Sequence, residues 1–490
     1  MSSSYQYRDG EAYNYPLIIK KILNTPLIYA PEKEIVYKGK IRQTYKDLND
    51  RIHKLANSLQ KLGVKPGNTV CVFDYDSHRY LECYFAIPMM GAVLHTMNWR
   101  LSPEEILYTM NHAEDDIVLI NSELLPILET IWDKLNTVKK VILIKEEEKP
   151  ISTKIPIEAE YEEMLSKENP YHEFMDFDEN TTATLFYTTG TTGRPKGVYF
   201  SHRQLVLHTF FVATTLSVYD SSVVHFRSKD VYMPLTPMFH VHAWGLPYVA
   251  TLFGVKQVYP GKYDPETIIK LIDKEKVTFT HCVPTILLIV VSHPLAKTVD
   301  LSNWQVVTGG SALPRGIAQR AMDLGIKVLA AYGMSETCPV VTAAILKEHM
   351  EKYDTEKQLD YLLKTGIPAH LCEADIVDPL TDEFLAHDGK TTGELVVRTP
   401  SLTQGYFKDP ERTKFLWRKG WLHTGDVAYI DKEGYVNITD RLKDVIKSGG
   451  EWISSLTLEN LISQHPSVSE VAVIGMPDEK WGERPIAFIV

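Results

Sequence analysis

The sequence predicts an α/β fold, with helices packed on a mostly parallel sheet and a smaller β-rich subdomain beyond it. Three observations carry this reading. Short apolar runs alternate with segments of helical period from about Thr69 to Ala331. From about Glu373 the pattern changes to short β segments. The chain has 490 residues, too many for one core, so several domains or subdomains are expected.

Taken in order, Pro16–Leu23 centres an amphipathic helix candidate within residues 13–30. Glu34–Tyr45 reads as a hairpin turning at Lys38-Gly39, and Thr44 then precedes a strongly periodic helix over Tyr45–Leu59. Thr69–Phe73 is a buried strand, His78–Pro88 a helix and Ala92–His95 a strand. Asp116–Ile120 and Val141–Ile144 are strands around a helix near Leu124–Leu135. Lys145–Pro150 reads as a solvated charged loop. A helix follows from Ser201 to about Val212. Strands are expected at Asp230–Pro234, Val255–Tyr259, Val277–Thr280, Gln305–Val307 and Val328–Ala331, with a helix over Pro265–Lys274. The β segments after the change are Glu373–Val377, Gly393–Arg398 and Gly434–Thr439. Lys443–Gly450 is basic and glycine-punctuated, a linker or hinge, before a helix over Ser455–Gln464. The chain stops inside an apolar β run, Pro485–Val490, so a truncated sequence is expected.

Composition narrows the function. Apolar residues make up 44% and charged residues 23%, ordinary for a soluble globular protein, and the net charge of −11 is a poor match to general nucleic-acid binding. Cys71, Cys83, Cys282, Cys338 and Cys372 are scattered and form no Cys-x-x-Cys pair, which argues for a reducing compartment and against a zinc site. The N-terminus has no apolar signal core, and the longest apolar run, Ile286–Val291, is too short to span a bilayer. A cytoplasmic protein is expected.

The most informative stretch is Tyr187-Thr-Thr-Gly-Thr-Thr-Gly-Arg-Pro-Lys-Gly197, set between the apolar runs Ala183–Tyr187 and Gly197–Phe200. Glycine lets backbone approach a polyanion. Successive N–H groups and the hydroxyls of Thr188, Thr189, Thr191 and Thr192 around Gly190 can wrap phosphate oxygens, and Lys196 adds a positive charge. It is not a Walker A loop, because the residue five past Gly190 is Pro195. The plainer alternative is a flexible hairpin loop.

Five further motifs follow it: Pro237-Met-Phe-His-Val-His-Ala-Trp-Gly245, Gly309-Gly-Ser-Ala-Leu-Pro-Arg315, Tyr332-Gly-Met-Ser-Glu-Thr337, Gly420-Trp-Leu-His-Thr-Gly-Asp426 and Asp440-Arg-Leu-Lys-Asp-Val-Ile-Lys-Ser-Gly-Gly-Glu-Trp452. In this order the motifs resemble the adenylate-forming superfamily, and within it the acyl-CoA synthetases closest to medium- and long-chain fatty acid–CoA ligases. The resemblance covers nearly the whole chain. It implies a large N-terminal domain of mixed sheets flanked by helices (1–440), holding the acyl and nucleotide sites, and a small mobile α+β C-terminal domain (441–490) with its hinge near Lys443, here incomplete.

The implied reaction has two steps. A carboxylate attacks the α-phosphate of MgATP to give acyl-AMP and pyrophosphate, and the thiol of coenzyme A then displaces AMP. The resemblance implies Mg²⁺ held by Thr188 and Glu336, with Lys196 neutralising the leaving pyrophosphate. It implies that Tyr332 stacks on adenine near Ala330 and Ala331, that Ser335 touches the α-phosphate, and that Gly310, Ser311 and Ala312 offer backbone to the adenine and acyl side. Asp426 and Arg441 would bond the ribose, with Lys443 beside them. His240 would position the acyl carboxylate, Val241, Trp244 and Gly310 would line the acyl tunnel, and Gly333, lacking a side chain, would let the tunnel run deeper. Lys447 and Trp452 would face the adenylate in the thioester-forming state. A further lysine, which relatives carry past the last strand, is absent from this sequence, so poor adenylation is expected.

Each residue also has a plainer reading. Glu336 could be solvated at a strand end, Asp426 a turn residue, His240 and Trp244 packed core, and the lysines a basic loop. Three alternatives stand beside the fatty acid ligase: a ligase for a short hydroxy acid, one for an aromatic acid, or a non-catalytic acyl-adenylate-binding homologue. The expected partners are a carboxylic acid, ATP and coenzyme A, with no nucleic acid and no integral membrane segment, and a homodimer by analogy.

Overall fold

The computed structural model describes residues 12–146, 150–188, 193–448, 451–462, 465, 467–468, 470–478 and 480–490. Two large sheets, mostly parallel, form the body; both edges of the first and one edge of the second are antiparallel. One has nine strands in the order 367–368, 340–343, 327–333, 305–308, 279–282, 231–235, 256–259, 34–37, 41–44. The other has seven, in the order 157–160, 140–144, 115–121, 69–73, 93–96, 182–188, 196–201. Helices cover both, and the inner strands are buried along their length, as parallel strands clothed on two faces must be. An antiparallel five-stranded sheet follows, formed by 373–377, 393–398, 417–418, 421–430 and 436–441, and then a four-stranded sheet of 446–448, 451–453, 471–478 and 482–489. The α/β class and the change near Glu373 are as the sequence predicts.

Local chemistry accounts for the elements that match. The hairpin turns at Lys38 and Gly39, both at positive φ (52° and 64°), and Ile35 pairs with Gln43 across it. Thr44 and Asp47 form a reciprocal capping box at the start of Tyr45–Lys61, whose apolar stripe (Leu48, Ile52, Leu55, Leu59) is fully buried. Three expectations need correction. The first helix is instead a 3₁₀ turn, Ile19–Leu23, running into a short helix, Asn24–Tyr29; neither start has a side-chain cap, and Pro26 lies within the second piece. A helix over Pro103–Ala113 was not read from the sequence, though Ser102 and Glu105 form a capping box and Pro103 opens it. In the charged loop, Glu146 is no solvated residue. It pairs with Lys38 at 2.8 Å and Arg79 at 3.6 Å and accepts from Tyr37 Oη at 2.7 Å. Glu147, Glu148 and Lys149 lie outside the described residues.

Strands 231–235, 279–282, 305–308 and 327–333 are adjacent and parallel, so their carboxyl ends point the same way. Three of them lead directly into sequence motifs, and that edge is where an open α/β sheet offers a binding crevice.

Candidate active site

The crevice at these strand ends is lined by His240, Val241, Trp244, Gly309, Gly310, Ala331, Tyr332, Gly333, Met334, Ser335, Pro339 and Val340. Sequence reading named His240, Val241, Trp244, Gly310, Ala331, Tyr332, Gly333 and Ser335 among these. It did not name Gly309 and Met334, though both lie inside quoted motifs, nor Pro339 and Val340, which lie just past one. Ala330 packs in the apolar core and does not line the crevice. Ser311 and Ala312 lie exposed on the turn beyond Gly310.

The segment after strand 231–235 is tied down from the seven-stranded sheet and the helix beside it. Asp76 Oδ1 accepts from Met238 N–H at 2.8 Å, Thr96 Oγ1 donates to Phe239 O at 2.9 Å, and Tyr84 Oη donates to Met238 O. Asp76 also accepts from Tyr263 Oη at 2.6 Å, and burial pushes its carboxyl up to about 7. None of these three anchors was read from the sequence. The chain then makes a left-handed turn, with Val241, His242, Ala243 and Trp244 at φ of 47°, 55°, 48° and 57° before Gly245 at 70°. Each L-residue in that conformation costs about 1–2 kcal/mol. Gly245 is required here, since a Cβ would stand 2.7 Å from the His208 ring.

The turn aims Trp244 at the crevice and His242 away from it. The Trp244 ring lies 5.1 Å from His281, and its edge fills the room beside Gly309, where a Cβ would stand 3.1 Å from the indole. His242 is fully buried among Tyr84, Phe186 and Phe200, and neither ring nitrogen has a partner among the described residues. Burial holds its pKa down at about 3, so the ring is neutral. His240 presents an exposed surface to the crevice, yet the protein packed around it pushes its pKa down to about 4, with Arg100 adding to the shift. At neutral pH it can give one hydrogen bond to a carboxylate but no charge.

Gly333 lines the crevice for a different reason from the one expected. A Cβ there would fall 1.7 Å from Pro339 O and 2.4 Å from its carbonyl carbon. The missing side chain admits the neighbouring backbone rather than extending a tunnel. The crevice has a free volume of about 50 Å³, with Trp244 packed into it.

Behind Tyr332, which lines the crevice, lies a polar network. Tyr332 Oη donates to Asp426 Oδ2 at 2.6 Å, and Arg441 Nε meets Asp426 Oδ1 at 2.7 Å. Asp426 and Arg441 sit directly opposite each other on strands 421–430 and 436–441. Burial raises the Asp426 carboxyl above its ordinary pKa, and Arg441 opposes that rise. Thr188 and Lys196 face each other at the neck of the phosphate-loop hairpin. Thr189, Gly190, Thr191 and Thr192 lie outside the described residues. Glu336 is buried, and its Oε1 accepts from Tyr406 Oη at 2.7 Å, while Lys196 Nζ donates to the same hydroxyl at 3.1 Å. Tyr406 was missed by sequence reading. A buried carboxylate oxygen is a suitable hard donor for Mg²⁺. Lys447 is exposed on strand 446–448, opposite Trp452, and does not line the crevice. Lys443 is exposed between the last two sheets. Among the described residues, no helix is long and apolar enough to cross a membrane.

Comparison with known proteins accords with this arrangement. The AMP-binding enzyme family model matches residues 29–407, and the AMP-binding enzyme C-terminal domain model matches 457–490. The chain is 43% identical to a long-chain-fatty-acid–CoA ligase of Thermus thermophilus, over 94% of this chain and 83% of the relative. It is 38% identical to a 3-methylmercaptopropionyl-CoA ligase of Ruegeria lacuscaerulensis, over 98% and 89%. The solved fatty acyl CoA synthetase of Mycobacterium tuberculosis superposes with a TM-score of 0.75 at 26% identity, covering 96% of this chain and 88% of that one. The chain therefore belongs to the AMP-binding enzyme family, as an acyl-CoA synthetase of the adenylate-forming superfamily.

Proposed function

We propose that the acid is a medium- or long-chain fatty acid, activated by MgATP at the polar network and passed to coenzyme A. The single observation behind this is a junction at Tyr332: it lines the crevice with apolar Val241, Trp244 and Val340, and its hydroxyl is bonded to the Asp426 carboxylate that also pairs with Arg441. Asp426 keeps lone pairs for ribose hydroxyls after serving Tyr332 and Arg441, since an ionised carboxylate has about four acceptor sites. Ser335 lines the crevice and would meet the α-phosphate there, and neutral His240 would orient the carboxylate. Glu336 and Thr188 would hold Mg²⁺, which when bound neutralises charge on the phosphates. Lys196 would take part of the charge of the departing pyrophosphate. Lys447 and Trp452 would serve the second step after the last sheet reorients. The free cysteines suit a reducing, cytoplasmic setting.

Chain length depends on Trp244. A pocket for a drug-sized ligand usually offers some 300–1,000 Å³, so a long acyl chain enters here only when the indole moves. Each methylene then buried contributes about 0.8 kcal/mol. The small free volume favours a second reading, a short acid bound with Trp244 in place. Measuring AMP release over acetate, 3-methylmercaptopropionate, 4-hydroxybutyrate, octanoate and palmitate, with and without coenzyme A, separates the two. The first reading expects coenzyme A-dependent release with the highest kcat/KM for octanoate or palmitate. A higher value for any of the three shorter acids overturns it.

A further inference from the structure

Gly405-Tyr406-Phe407 belongs to none of the six motifs, yet the structure fastens it to one and aims it at another. Phe407 N–H donates to Gly197 O at 2.8 Å, and Tyr406 bridges Val198 in antiparallel register. Arg412 donates to Arg194 O at 3.2 Å, and Tyr406 N–H donates to Thr413 Oγ1 at 2.9 Å. The tyrosine is thus held by main chain to the strand that leaves the phosphate loop. Its hydroxyl stands between two groups of opposite charge, accepting from Lys196 Nζ at 3.1 Å and donating to Glu336 Oε1 at 2.7 Å, while the lysine also lies 4.4 Å from the ring centroid.

A lysine and a carboxylate that share one hydroxyl are close enough to collapse into a direct ion pair, and in buried surroundings such a pair is strong. Each charge would then be spent on the other instead of on a ligand. We propose that Tyr406 is a positioning residue for the nucleotide: its neutral hydroxyl separates Lys196 from Glu336, aiming the cation at phosphate and keeping carboxylate oxygen free for the metal. This rests on the reading above that both groups serve MgATP.

The test compares Tyr406→Phe, Glu336→Gln and the double variant in the full chain. Tyr406→Phe removes only the hydroxyl and keeps the ring under the lysine. The readouts are binding of Mn²⁺ with a non-hydrolysable ATP analogue by calorimetry, KM for ATP and for the acid, and the thermal midpoint. A lost hydrogen bond to a charged group predicts about a tenfold weaker affinity for the manganese nucleotide and a matching rise in KM for ATP. The acid KM and the midpoint stay at wild-type values, and Tyr406→Phe adds little once Glu336→Gln is present. Wild-type nucleotide affinity in Tyr406→Phe overturns the proposal while leaving the nucleotide reading intact, provided that Glu336→Gln weakens binding. Unchanged affinity in Glu336→Gln overturns both. Equal rises in both KM values with a lower midpoint, or additive losses in the double variant, reduce Tyr406 to a structural residue and also overturn it.

Discussion

The crevice and the polar network behind Tyr332 are built on opposite principles. In the polar network, Asp426 engages Tyr332 and Arg441, and Tyr406 engages Glu336 and Lys196, through short polar contacts that aim these groups. In the crevice, four consecutive L-residues sit in the left-handed region, and His242 is buried with both nitrogens unpartnered among the described residues. The network is pre-organised, which lowers the cost of binding a fixed ligand such as ATP. The crevice segment is held against its local preference by Asp76, Thr96 and Tyr84, and a surface under such restraint has more than one arrangement within reach. A site that must take one nucleotide but admit acids behind a tryptophan has reason to be stiff on one face and yielding on the other.

The largest effect is expected where pre-organisation is removed. Asp426→Asn keeps the shape but replaces an acceptor oxygen with a donor facing Tyr332, Arg441 or the ribose. Losing hydrogen bonds to a buried charge at about 1.5–3 kcal/mol each predicts a fall of about 100-fold in kcat/KM for ATP. The acid KM stays near its starting value. Steady-state kinetics with each substrate varied checks this, and a parallel loss in both would blur the division between crevice and network.

Acid should act next, and mainly through buried histidines. Burial holds His202, His208, His242 and His281 down at about 3, whereas an unfolded histidine titrates near 6.5. The unfolded chain binds more protons between those values. The stability these rings contribute is therefore fully present above about pH 6.5 and is lost as pH falls towards 3, by about 1 kcal/mol or more per ring at pH 5. Asp76, raised to about 7, has the opposite sign, its contribution being lost as pH rises from about 4 through 7, and burial raises Asp74, Asp115 and Asp426 in the same direction; these four carboxyls are outnumbered once His78 and His240, also held down, join the four rings. Thermal midpoints from pH 7.5 to 5 should fall, and His242→Phe should flatten that fall. An unchanged slope in the variant would remove His242 from the account.

The smallest effect belongs to the left-handed turn. Glycine carries no penalty at positive φ, so Ala243→Gly should be neutral or stabilise by up to about 1 kcal/mol. The same change at Ala86, buried in the helix His78–Met89, should cost about 1 kcal/mol or more. Denaturant midpoints of the two variants measure the difference, and equal destabilisation would show the turn to be unstrained.

Several of the residues named from motifs do meet in space: Tyr332 with Asp426 and Arg441, because the strands that carry these motifs converge. Tyr406 could not be named, because its importance comes from a bridge to Val198, and a Gly-Tyr-Phe triplet alone says nothing of what it faces. Asp76 escaped for the same reason, its partner Met238 being 162 residues away. In the fold, the strands and capped helices followed from local period and capping chemistry. The start of the chain did not, because Pro26 interrupts an otherwise helical pattern and splits it.

The close approach at Gly333 also bears on how acid preference can change over generations. With Pro339 O standing where a side chain would begin, position 333 accepts no single replacement unless the strand beside it shifts first. One wall of the acyl crevice is then closed to stepwise variation. Single substitutions that reshape the pocket are left to Trp244, Val241 and Val340, whose side chains already reach it. A bulky residue at 333 belongs to a backbone that has already moved, so two such sequences are separated by a coupled change and not by a single mutational step.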